Sequence, residues 1–133
     1  MVKESSIENG NLAVQQQFVA AVFAGDADTI MALAAPDFTL HEGSGMPFAG
    51  VYEGGEGFLA FLGIFADTFE IEKLEPVRSY ASDDPDRMAF EFDFCATVKA
   101  TGEAFESSII ETWQFRDGKV ESIRAHYFNV PSA

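Results

Sequence analysis

Apolar residues recur at helical spacing in the first half of the chain and at strand spacing in the second. Between Leu12 and Ala24, the residues Val14, Phe18, Val19, Val22 and Phe23 gather on one side of a helix. Asn11 is the expected N-cap and Gly25 the expected stop. Asp26 or Asp28 then caps a short second helix carrying Ile30, Met31 and Leu33. Pro36 closes it, because proline disfavours helical backbone in the residue before it. Asp37 to Glu42 reads as a strand that runs into a glycine-rich bend, "GSGMPFAG". A third helix is predicted from near Gly55, where Phe58, Phe61, Leu62 and Phe65 at i, i+3, i+4 and i+7 form one apolar stripe. Glu56 near its start suits the helix dipole.

From Phe69 onward the period shortens towards two. "FEIEKLEPVRSY" predicts an edge or bulged strand, since Pro76 cannot donate to a ladder. "SDDPD" is a turn. In "RMAFEFDFCATVKA", Met88, Phe90, Phe92, Phe94, Ala96 and Val98 share one face, and Glu91, Asp93, Cys95, Thr97 and Lys99 the other. After "TGE", the strand "AFESSIIETWQF" places Ile109, Glu111, Trp113 and Phe115 together. "RDGK" forms a hairpin turn into the last strand, "VESIRAHYFNV". Three N-terminal helices followed by mostly antiparallel strands argue an α+β domain, its helices packed on one face of a curved sheet. The 133 residues predict one domain over 1–133, with 1–10 as a flexible N-terminus.

Composition narrows the function classes. The apolar fraction is 47% and there are fourteen Phe, so the chain supports a packed core. Eight basic against 22 acidic residues give a net charge of −14, which disfavours nucleic acid and anionic membranes as partners. Cys95 is the single cysteine, excludes an internal disulfide, and is expected to be buried and inert. "MVKESSIENGNL" lacks the apolar run of a signal peptide, and "FVAAVFA" is too short to span a bilayer, so a cytoplasmic protein is expected.

No metal-ligand spacing, phosphate loop or nucleophile elbow is present: "EGGEGF" lacks a basic residue and reads as a helix-entry turn. Neither a metal nor a cofactor is expected. What stands out is acid placed in apolar strands. Glu42 is in phase with Phe38 and Leu40, and Glu111 with Ile109, Trp113 and Phe115. A carboxylate facing a core is costly to ionise, so its pKa rises, and it becomes a candidate general base or a protonated hydrogen-bond donor. The alternative is a carboxylate paired with Arg124 or Tyr127, or lying on a solvated edge. His41, one residue out of phase with Glu42, is expected on the surface or at an interface. Arg124 and His126 alternate with Tyr127 and are assigned to the opposite face.

"VAAVFAGDADTIMALAAPDFTLHE" (Val19–Glu42) resembles the N-terminal half of the bacterial ketosteroid isomerases, and "IIETWQFRDGKVESIRAHY" (Ile109–Tyr127) resembles their last hairpin. "LHEGSGMPFAGVYEGGEGFLAFL" is similar to the SnoaL-like proteins, a broader branch of the NTF2-like superfamily. The resemblance implies a cone-shaped α+β barrel around one apolar pocket, often in a homodimer. It implies a general base at Glu42 and a protonated acid at Glu111, each one methylene longer than the aspartates of the isomerases. The tyrosine that completes the isomerase site corresponds to Phe18 here, which removes a phenolic donor. Asn129 falls near an acidic position of the SnoaL-like proteins and cannot shuttle protons.

The implied substrate-binding wall comprises Phe18, Val22, Leu40, Met46, Phe48, Tyr52, Phe61, Trp113, Tyr127 and Asn129. Within it Met46, Pro47 and Phe48 fold over the mouth, and Tyr52 is a candidate for the missing hydroxyl. The resulting expectation is a cofactor-independent isomerase-, cyclase- or hydrolase-like enzyme acting on a small apolar molecule that bears a carbonyl or an epoxide. Its alternative is a non-catalytic binding or dimerisation module, with the pocket in the extreme case filled by phenylalanine.

Overall fold

The computed structural model describes residues 2–132, with side chains from residue 10 onward. Helix α1 (Val2–Ala24) and α2 (Ala27–Leu33) lead into strand β1 (Ala34–Glu42). A short strand β2 (Gly50–Glu53) and helix α3 (Gly54–Thr68) follow, then β3 (Phe69–Ala81), β4 (Arg87–Val98), β5 (Ala104–Arg116) and β6 (Lys119–Tyr127). The sheet order is β2-β1-β6-β5-β4-β3. All neighbours are antiparallel except β1 and β6, which run parallel. The sheet is open, with β2 and β3 as its edges, and does not close into the expected barrel. Two strands, not one, precede α3, because the chain after the glycine bend pairs back onto β1.

Local chemistry explains the elements. Asp26 caps α2 by accepting from the Thr29 backbone N–H at 3.1 Å. Gly25 supplies the positive φ of 69° that ends α1. Asp117 and Gly118, with φ of 53° and 75°, form the tight β5–β6 hairpin. β3 is an edge strand and is bulged between Ile71 and Lys73 and again after Pro76, a position proline tolerates at an edge.

Asn11 is not a cap. It lies inside α1, buried, and its amide donates to the Pro85 carbonyl at 2.8 Å and to Asp86 Oδ1 at 3.1 Å. It ties the helix to the β3–β4 turn. The expectation of flexibility over residues 1–10 concerns side chains that lie almost wholly outside the description.

Helices α1 and α3 cover one face of the sheet. Phe18 from α1, with Phe58, Phe61 and Phe65 from α3, meets the inward residues of β1, β4, β5 and β6. Phe18, Phe38, Phe69, Phe94 and Phe115 are among the completely buried side chains. The other sheet face is polar and half-exposed. His41, Arg124 and His126 lie there, as alternation requires. Cys95 also lies there, only partly buried, because its strand neighbours Phe94 and Ala96 take the inward positions. No described helix is long and apolar enough to cross a membrane.

Candidate active site

Strand alternation delivers both acids to the same face. On β1, Phe38, Leu40 and Glu42 all point inward and are 0%, 1% and 7% exposed. On β5, Ile109, Trp113 and Phe115 are buried, with Glu111 in phase among them. Glu111 stands opposite Ala125 of β6, while Leu40 lies beside Ile123 and His41 beside Arg124. The next step of that register brings Glu42 beside Ala125. The two glutamates therefore flank a single alanine, their backbones about 10 Å apart across two strand spacings.

Between the helices and this face is a cavity of about 310 Å³, near the lower end of the range for small-molecule sites. Its strand wall holds Leu40, Glu42, Phe92, Ile109, Glu111, Trp113, Ile123 and Tyr127. Phe18, Val19, Val22 and Phe23 of α1 and Phe58, Phe61, Leu62, Phe65 and Ala66 of α3 form its roof. Ile71 and Leu74 of β3 complete it. The fourteen phenylalanines do not fill it.

Among the described residues, each acid has one neutral partner and no cationic one. The Tyr127 hydroxyl donates to Glu42 Oε1 at 2.8 Å. The Trp113 indole N–H donates to Glu111 Oε1 at 2.9 Å. Burial pushes the Glu42 carboxyl up to about 8; the tyrosine hydrogen bond opposes this and the negative charge of Glu111 adds to it. Burial pushes Glu111 up to about 7, opposed by the indole N–H. The surface that Glu111 retains faces the cavity, which is why a group with some accessible area behaves as desolvated. Tyr127 is raised far above an ordinary phenol, first by burial and then by the Glu42 charge, so it stays a donor at every working pH. Two interacting acids of this kind titrate as a pair and hold one proton between them around neutrality.

Of the residues expected to form the site, the structure brings together Phe18, Val22, Leu40, Glu42, Phe61, Glu111, Trp113 and Tyr127. Four others do not line the cavity. Met46 and Phe48 are buried in the core, where Phe48 packs on Phe61, Phe65, Phe69 and Tyr127 and supports the wall from behind. The Tyr52 hydroxyl is committed to the Phe48 carbonyl at 2.7 Å, so it does not replace the missing phenol. Asn129 is exposed and bound to the Glu106 carbonyl and to Ser107, outside the cavity.

Several lining residues are absent from the expected wall although their phase announces them: Phe92 alternates with Glu91 and Asp93, and Ile109 is in phase with Glu111 and Trp113. Ile71 and Leu74 were hidden by the bulge that breaks the alternation of β3. The Tyr127–Glu42 bond joins residues 85 apart and was foreseen only as one of several pairings. Among the described residues, no group of three or more His, Cys, Asp or Glu is arranged to hold a metal ion.

Comparison with known proteins gives a consistent result. No curated protein matches the chain significantly. Among solved structures, an NTF2-like protein from Burkholderia xenovorans LB400 is 27% identical, with a TM-score of 0.81 over 90% of this chain and 89% of that one. Bal32a, from a soil-derived mobile gene cassette, is 21% identical, with a TM-score of 0.79 over 92% of each chain. TerC, co-crystallised with polyporic acid, is 18% identical, with a TM-score of 0.75 over 89% of this chain and 91% of that one. All three share the fold of this chain over most of its length. The SnoaL-like domain family matches residues 15–123, most of the chain, and the protein is a member of that family.

Proposed function

We propose that the protein is a cofactor-independent acid–base enzyme that moves a proton on a compact apolar molecule bearing a carbonyl or an epoxide. One observation carries this reading: two carboxyls, with no cationic partner among the described residues, face the same apolar cavity, and burial raises both into the neutral range. Such groups exchange protons near pH 7 with little driving force lost. TerC, which has the same fold, was co-crystallised with a small molecule, polyporic acid, which supports a ligand-holding role for the cavity.

In the working form the pair carries one proton. Glu42, as carboxylate, takes a proton from the carbon beside the substrate carbonyl. The C–H electrons become the new C=C bond, and the carbonyl π electrons move to oxygen. Glu111, as the acid, donates a hydrogen bond to that developing oxyanion. In a substrate with a C=C bond next to the deprotonated carbon the intermediate is a dienolate, and return of the proton from Glu42 to its far carbon re-forms the carbonyl and closes an isomerisation with no net change in oxidation state. Tyr127 holds the Glu42 carboxylate in place between the two transfers.

A second reading exchanges the roles. The Trp113 N–H stabilises charge on Glu111 as the Tyr127 hydroxyl does on Glu42, so each carboxyl has the donor that suits a base. Glutamine variants separate the readings. An amide still donates a hydrogen bond but does not accept a proton, so the base position loses more than the donor position. With Glu42 as base, Glu42→Gln lowers kcat by about 10²–10⁴-fold and Glu111→Gln by less. The opposite order assigns the base to Glu111. A substrate turned over equally well by both variants and the wild type ends the enzymatic reading and leaves a binding module.

A further inference from the structure

The cavity does not end at a polar rim. Phe23 and Ile71 both line it, and they are also 55% and 42% exposed. Ala66 is exposed too, and Val19, Leu62 and Leu74 are partly so. These residues come from α1, α3 and β3 and together form the edge through which the interior reaches solvent. Of the nineteen lining residues only Glu42 and Glu111 carry a carboxyl, and both sit on the inward strand face. Among the described residues that line it, none places a charge at the cavity mouth.

The contrast is sharpest on β3, where Glu70, Glu72 and Lys73 surround Ile71 in sequence but none of them lines the opening. Exposed apolar groups at a mouth gain nothing from water, and they gain free energy only when something apolar lies across them.

We propose that the ligand is longer than the enclosed cavity: its polar, reacting end lies at Glu42 and Glu111, and an apolar tail passes out over Phe23 and Ile71. The class is an elongated molecule with an oxygen-bearing head and an aliphatic or aromatic body, without charge in its outer part. The rim surface is continuous with the cavity, so the same ligand covers both. The proposal rests on the ligand-holding role above but not on its chemistry. Phe23 and Ile71 then set specificity by length, while the inner wall sets it by shape.

A homologous series of alkyl methyl ketones, from butyl to decyl, tests this. Binding is followed by calorimetry and by the fluorescence of Trp113, the single tryptophan, which lines the cavity. Each methylene that leaves water tightens Kd by about two- to fourfold. Affinity is expected to keep rising for the homologues too long to be enclosed. In Phe23→Ser and Ile71→Ser the loss should grow with chain length and be greatest for the longest ketones. Ile64→Ser is the control, an exposed apolar residue of α3 that does not line the cavity; it should change no affinity. Melting curves of the three variants confirm that the fold is retained.

Affinity that stops rising once the cavity is full, or variants that weaken all homologues equally, overturns the proposal and leaves the ligand-holding role intact. Variants that alter self-association and not ketone affinity also overturn it, because the rim is then a contact between copies. If no ketone binds the wild-type protein, the ligand-holding role fails as well.

Discussion

The two faces of the sheet carry the same kind of residue in opposite circumstances. On the outer face, Asp93 lies 3.6 Å from the Lys73 ammonium, and Glu91 accepts from the Tyr80 hydroxyl and meets the Arg78 guanidinium. These carboxylates are open to solvent or paired with a cation, and their charge is easily held. On the inner face, among the described residues, Glu42 and Glu111 meet a phenol, an indole and the field of Glu111 on Glu42, and no cation. One strand step separates the two situations: Glu91 and Asp93 alternate with Phe90, Phe92 and Phe94, whereas Glu111 occupies an inward position itself. A carboxylate outside adds solubility. The same group inside costs stability when ionised, and its position in a cavity makes it a candidate functional group.

Substitutions widen or remove the difference. The largest effect is on turnover: once a substrate is in hand, Glu42→Gln should lower kcat by about 10²–10⁴-fold, whereas Asp93→Asn should leave it unchanged. Next comes the packing that frames the inner face. Phe94 is completely buried among Phe65, Phe69 and Phe105, and Phe94→Ala should destabilise the fold by about 3–5 kcal/mol in a denaturant titration.

A third effect is pH-dependent. Folding raises both inner carboxyls above their unfolded value of 4.5, so the native state binds more protons than the unfolded one above that pH. Their stabilisation is full below about pH 4.5 and is lost as pH rises through about 7 for Glu111 and about 8 for Glu42. The change across that window is on the order of a few kcal/mol. Glu42→Gln and Glu111→Gln should therefore melt above the wild type at pH near 9 and lose much of its alkaline slope. The smallest effect belongs to the outer face: Asp93→Ser removes an exposed ion pair and should change stability by less than about 1 kcal/mol.

Much of this was legible in the sequence, for a definite reason. Strict alternation on β4 and β5, and the Phe38-Leu40-Glu42 phase on β1, fix which side chains face inward without knowledge of the rest. The two acids and most of the strand wall follow from that. The amphipathic stripe of α3 is equally local. What failed depends on distant partners. Asn11 looks like a cap until the β3–β4 turn supplies its hydrogen-bond acceptors. Phe23 fits the apolar stripe of α1, yet the sheet edge leaves it half-covered at the cavity mouth. The glycine bend gives no periodicity at all, so Met46 and Phe48 were assigned to the mouth when they pack in the core. Closure of the sheet is likewise not encoded in any one strand, and β2 and β3 remain as edges.

The central claim is that Glu42 and Glu111 form a coupled, desolvated pair. The most direct measurement is a carboxyl-detected NMR pH titration of glutamate in the wild type, in Glu42→Gln and in Glu111→Gln. The account predicts two carboxyls that titrate near pH 7 and 8, far from the remaining glutamates. It also predicts a downward shift of the Glu42 resonance midpoint in Glu111→Gln, because the charge that raises it is gone. If both groups instead titrate at ordinary carboxylate values, or Glu42 does not respond to loss of Glu111, the inner face holds no such pair and the catalytic reading is wrong.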